Sequence, residues 1–297
     1  MSEQTKGIIA MVTACVIWGF SALYYNLIAD VPPLEVLSHR TIWSLVFLFC
    51  LLVYAKRLGE VGVLLRDKRT VLIVGLAALM VSMNWFVYIL SVQIGRLVES
   101  SLGYYIFPLV AVLLGYVFLG ERLTRFQWYA VGLAAFAVVL LTAGLGAPPW
   151  VSLFLAVTLG LYGVCKKSLQ AGPVVSVMGE VILLTPLALI WLWGVHFDGW
   201  TGLVGRSGGF FGQGWDTGLL MLSGPLTAGP LVLMSYAMKR LTLASVGLVQ
   251  YLNPTLQFGV STLIFMESFT RWHFIAFGLI WVALAIYSYE SLRRERS

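Results

Sequence analysis

Pro108, then Glu121-Arg122-Leu123-Thr124-Arg125, then Gly132 in the first half of the chain return as Pro254, then Glu267-Ser268-Phe269-Thr270-Arg271, then Gly278 in the second. All three landmarks are displaced by 146 residues, and Glu, Thr and Arg match inside the central pair. Upstream, Arg96-Leu97, Ser101 and Gly103 correspond to Arg240-Leu241, Ser245 and Gly247 at a displacement of 144, which Trp18-Gly19 and Tyr162-Gly163 share. A repeat on this scale divides the chain into two related units, residues 1–146 and 147–297.

The surroundings of these landmarks decide what the units are made of. Of the 297 residues 60% are hydrophobic and only 11% charged, with a mean hydropathy of +0.90. A soluble domain carries about a quarter charged residues, so the solvent for most of this surface is lipid. A bilayer core about 30 Å thick takes about 20 apolar residues as helix, and lipid permits such segments no other backbone. The apolar runs cover residues 7–29, 34–55, 70–94, 97–119, 126–144, 149–169, 173–195, 218–238, 241–266 and 272–289. The expectation is an all-α membrane protein of ten transmembrane helices, five per unit.

Lys and Arg fix the expected orientation. With the N-terminus in the cytoplasm, 15 of the 19 fall inside and only Arg96, Arg206 and Arg271 outside, with Arg40 within the second span. Both termini are then cytoplasmic. Because each unit has an odd number of spans, the second enters the membrane upside down. Inverted repeats around a midplane site are the construction of alternating-access secondary transporters. The net charge of +6 is spread in short clusters between apolar runs, which argues for topology rather than a nucleic-acid partner. Cys15, Cys50 and Cys165 all lie in apolar runs, with neither metal-ligand nor disulfide spacing.

Ionisable residues inside a span default to function. Glu180 lies about seven residues into the seventh span and is open to proton transfer, substrate counter-charge or a structural ion pair. Arg40 lies equally deep in the second span, its repeat equivalent, so the two are near-equivalent positions of opposite sign. An ion pair between them and an Arg40 that snorkels to the surface are both open. His39 titrates near neutral pH in its unperturbed form, although a lone membrane histidine more often joins helices. Trp18, Asn84, Trp85, Tyr88, Tyr104, Tyr251 and Asn253 combine aromatic walls with polar groups, as small-molecule cavities do; the plain alternative is helix packing. Pro108 and Pro254 are paired helix-kink positions suited to gating or to static kinks. The Glu121 and Glu267 motifs lie at helix starts beside Thr, which fits capping. The glycine-rich loop at 196–216 carries no Lys-Ser/Thr after its glycines, hence no phosphate-binding motif. Its aromatics are expected to rest on the membrane interface, with a functional lid as the alternative.

The chain resembles the drug/metabolite transporter superfamily, specifically EamA-type proteins of the RarD (chloramphenicol-sensitivity) group. The resemblance rests on Ser38-His39-Arg40-Thr41-Ile42-Trp43-Ser44, on Asn84-Trp85 with Tyr88, and on Ser100-Ser101-Leu102-Gly103-Tyr104-Tyr105. Pro108-Leu109, Glu121-Arg122-Leu123, Gln127-Trp128 and Gly247-Leu248-Val249-Gln250-Tyr251 with Pro254-Thr255 extend it over nearly the whole chain. Phe107 departs from the polar Asn expected before the proline. The resemblance implies a ten-helix permease of the inner (plasma) membrane that moves small organic metabolites or drugs, often outward. No cofactor or metal is called for, and no nucleotide-binding motif is present, so the energy source is an ion gradient, protons first, or the substrate's own gradient. The expected partners are a small-molecule substrate, the lipid bilayer and protons; a homodimer is open. An enzyme is disfavoured because His39, His196 and His273 lie in different segments. A channel, or a signalling protein without active transport, is the competing class.

Overall fold

The computed structural model describes residues 2–120, 123–146, 148–201, 208–212, 214–238, 240–241 and 249–296. Among them the regular structure is helical. The first apolar run forms α1 (Glu3–Gly19) and α2 (Ser21–Leu27), broken at Phe20. Then come α3 (Pro33–Tyr54), the short α4 (Leu58–Leu64), α5 (Lys68–Gln93), α6 (Leu97–Leu119) and α7 (Arg125–Leu145). The second half supplies α8 (Trp150–Lys167), α9 (Pro173–Phe197), α10 (Gly214–Met238), α11 (Leu252–Gly259), a π-helical turn at Val260–Ile264, and α12 (Arg271–Arg296). Nine described helices are long and apolar enough to span a bilayer. The ninth expected span, 241–266, includes residues 242–248, which lie outside the described residues; so does Glu121.

Local sequence explains the element ends. Asp67 accepts the Thr70 N–H at 2.8 Å and caps α5. Thr124 and Gln127 close a reciprocal capping box on α7, and prolines start α3 and α9 where a missing N–H costs nothing. Gly120, with φ at +67°, ends α6 in the left-handed conformation. Pro108 lies inside α6, whereas Pro254 falls in the first turn of α11. The two repeat-related prolines therefore do different things locally: only the first removes a bond from a described helix interior.

Glu267 departs from the capping expectation. Its carboxylate does not cap the helix that follows it. Its two oxygens accept the N–H groups of Leu97 and Val98 at 2.8 and 2.7 Å, satisfying orphan donors at the start of α6 in the other half. Burial pushes this carboxyl above the usual carboxylate range, and the two N–H bonds pull against that shift.

The helix packing follows a pattern. α6 and α5 of the first half pack on α8 of the second, while α10 and α11 of the second pack on α1. α3 packs on α9 and on α10, α5 packs on α9, and α7 packs on α12. Exchanging α1, α3, α5, α6 and α7 for α8, α9, α10, α11 and α12, in that order, maps this set of pairs onto itself. Close approach depends on small residues, as it must where lipid removes the hydrophobic drive between helices. A Cβ at Gly103 on α6 would sit 2.7 Å from the Ser152 carbonyl oxygen on α8, and one at Gly224 on α10 would sit 2.5 Å from the Trp43 oxygen on α3. Large apolar side chains such as Leu72, Phe136, Ile190 and Phe274 point outward and are more than half exposed, as a lipid-facing surface requires.

Gly103→Leu is expected to force α6 from α8 at a cost of about 1–3 kcal/mol, read as a lower melting temperature in detergent. Gly132→Leu, whose Cβ meets open space, is expected to leave it unchanged.

Candidate functional site

α3, α5, α9 and α10 enclose one cavity, and Arg40 and Glu180 both line it. Arg40, Thr41 and Ser44 come from α3, Ser82 and Trp85 from α5, Glu180 from α9 and Thr227 from α10. Its volume is about 30 Å³, room for a water or two and far below what an organic molecule occupies. The site is closed in this conformation.

Arg40 and Glu180 are not an ion pair. The Arg40 guanidinium lies over the Trp85 ring, and its Nε donates to the Thr227 hydroxyl at 2.5 Å. Thr227 in turn donates to the Ser223 carbonyl one turn back. Among the described residues no carboxylate lies within ion-pairing distance of Arg40, which is 4% exposed. It therefore does not snorkel. Glu180 is equally buried at 3%. Its partner is Lys166 on α8, 2.6 Å away, and the Tyr162 hydroxyl donates to its other oxygen at 3.3 Å. Lys166 also donates to Ser176. Lys166, assigned by sequence to topology, is thus a member of the site. The spacing held a signal for it: Tyr162 and Lys166 are four apart on one helix and Ser176 and Glu180 four apart on the next, so each pair shares a face.

The aromatic and polar residues read from sequence divide into groups. Trp85 lines the cavity beside Arg40. Tyr88 and Tyr104 stand behind it, edge to face at 5.9 Å, with the Tyr88 hydroxyl 3.1 Å from Ser21. Asn84 is fully buried and joins helices. Its amide donates to the Leu155 carbonyl at 2.8 Å and the Thr158 hydroxyl at 2.9 Å on α8, and it accepts from Tyr104 at 3.3 Å. Trp18 packs on the cluster around Leu48, Leu52 and Ala228. Tyr251 stacks on Tyr105 at 6.5 Å, and Asn253 accepts from Gln257 at 3.1 Å; neither lines the cavity. His39, next to Arg40 but about 100° round the helix, faces away from the cavity and stacks on Phe211 at 4.8 Å. Thr41, Ser44, Ser82 and Thr227, none of them a site candidate from sequence, are the cavity's small polar groups.

The glycine-rich loop is tethered over its described part. Glu35 on α3 is buried and accepts the N–H groups of Gly209 and Phe210 at 3.0 and 2.8 Å. Phe210 and Phe211 are partly buried against the core, while Trp215 is exposed.

The sequence profile of the EamA-like transporter family matches residues 5–143. The chain is 38% identical to Protein RarD of Streptomyces exfoliatus over 99% of this chain and 92% of that one. It is 37% identical to the uncharacterized transporter YojE of Bacillus subtilis, over 100% of this chain and 98% of that one. It is 32% identical to Protein RarD of Escherichia coli, over 99% and 98%. In fold it is similar to a protein of known crystal structure, with a TM-score of 0.58, 18% identity, and 95% and 97% of the two chains covered.

Removing one member of a buried pair leaves the other charge uncompensated. Lys166→Met is therefore expected to destabilise the protein by about 3 kcal/mol, and adding Glu180→Gln to recover most of the loss. Thermal unfolding of the two variants in detergent measures the coupling.

Proposed function

The chain belongs to the EamA-like transporter family, in its RarD group, and is a multi-pass membrane protein of the drug/metabolite transporter superfamily; on that premise we propose that it is a secondary carrier of small organic metabolites or drugs working by alternating access. Residues 1–146 and 147–297 are its two inverted five-helix units, and both termini are cytoplasmic. The interchange of packed helix pairs between the halves supports this reading, as does the presence of both Arg40 and Glu180 in the lining of one cavity.

The observation that carries the proposal is Arg40: a guanidinium buried beside the cavity, held by Trp85 and Thr227, with no carboxylate among the described residues to neutralise it. A permanent cation of this kind is costly in a membrane and is worth that cost if a ligand completes it. The substrate, in this reading, brings an acceptor group to Arg40 and a flat or apolar part to Trp85. The closed cavity corresponds to an occluded intermediate, and widening it means separating α3 from α9 or α10. Glu180 is the coupling group. Protonating it releases Lys166, so a proton and the α8–α9 contact are linked. His39 lies off the cavity, which leaves Glu180 the better candidate for proton transfer.

The first test is thermal stability of the purified protein against a panel of amino acids, metabolites and drugs. Ligand at a hundred times its Kd adds about 2.7 kcal/mol. A stabilising compound carrying an acceptor group is expected, and Arg40→Gln is expected to abolish its effect. For that compound, saturation and counterflow in proteoliposomes separate a carrier from a channel; flux without either would sink the carrier. Glu180→Gln is expected to remove the pH dependence of transport, and an unchanged pH profile excludes its proton role.

A further inference from the structure

We propose that Glu35, His39 and His196 form a binding site for a divalent metal ion of the zinc class, which ties α3, α9 and the 208–211 segment together. Glu35 and His39 are one helical turn apart on α3, so their side chains share a face. His196 comes from the last turn of α9, which packs along α3. One donor atom from each residue lies within 4.8 Å of the donor atoms of the other two. Two imidazoles and a carboxylate are a donor set for borderline divalent ions such as zinc. Donors bound at about 2.0–2.2 Å to one ion lie within roughly 4 Å of each other, so the site closes with a movement of about 1 Å. His196 is exposed and free to make it.

The other two ligands are already oriented. Glu35 is fully buried, and the Gly209 and Phe210 N–H groups aim its carboxylate while leaving further lone pairs. This is the outer support that metal ligands need. His39 is fixed by its stack on Phe211 at 4.8 Å. It is also 4% exposed, and among the described residues its Nε2 has no hydrogen-bond partner. A buried ring nitrogen left unmatched is expensive, and coordination satisfies it. The His196 ring stands edge-on to His39 with centroids 6.5 Å apart. Three protein ligands leave a coordination position for water. This site is separate from the Arg40 cavity and does not depend on what that cavity carries.

The test uses full-length protein in detergent with any affinity tag removed. Co2+ is the spectroscopic probe and Zn2+ the competitor. The expected result is one Co2+ per chain with a visible absorption band that stoichiometric Zn2+ abolishes, and a Zn2+-dependent rise in melting temperature. His196→Ala alters an exposed residue and is expected to leave the metal-free melting temperature in place while weakening binding about tenfold or more. His39→Gln is expected to weaken it likewise. Absence of a saturable cobalt band, or a band and zinc affinity unchanged in both variants, overturns the site.

Discussion

A charge that cannot be given up, placed where water cannot reach it, sets the terms for the centre of this protein. Arg40 stays protonated under any ordinary condition, so the surrounding helices must make its charge tolerable. Among the described residues they do so without a counter-ion. The Trp85 face supplies its quadrupole, and Thr227 supplies an acceptor. Each helix that contributes one of these groups is held at a fixed distance from α3. The tight contact at Gly224 is where α10 comes close enough for Thr227 to reach.

Glu180 shows the opposite solution at the equivalent depth. It has a full complement: a lysine, a tyrosine hydroxyl, and a serine bound to the same lysine. The two buried charges are thus unlike in their chemistry. Among the described residues Arg40 has no carboxylate beside it, whereas Glu180 is a compensated anion.

Much of the architecture was legible because membrane helices announce themselves by length and composition. The run at 97–119 coincides with α6, and the deep placing of Arg40 and Glu180 follows from counting residues from the span ends. Partner choice was not legible, because it depends on helix rotation and on which faces meet. Lys166 looked like a topology charge at a helix end, yet α8 turns it inward onto Glu180. Asn84 had the composition of a pocket residue, yet its amide is consumed by α8. Glu267 looked like the cap of its own helix, because sequence shows neighbours along the chain; its acceptors serve a helix 170 residues away. Glu35, four residues before His39, went unremarked because the loop that it holds is distant in sequence.

The crossed packing of α1 with α10 and α11, and of α8 with α5 and α6, has a consequence for biosynthesis. α1 finds its principal neighbours only once α10 and α11 have been made. Until then the α1 surfaces at Gly7 and Gly19, shaped to admit Leu241 and Leu256, face lipid or whatever chaperones the insertion machinery provides. The same crossing means that severing the chain between the halves would leave each fragment with its leading helix shorn of its mate. The two stretches are therefore separate along the chain and a single body by packing.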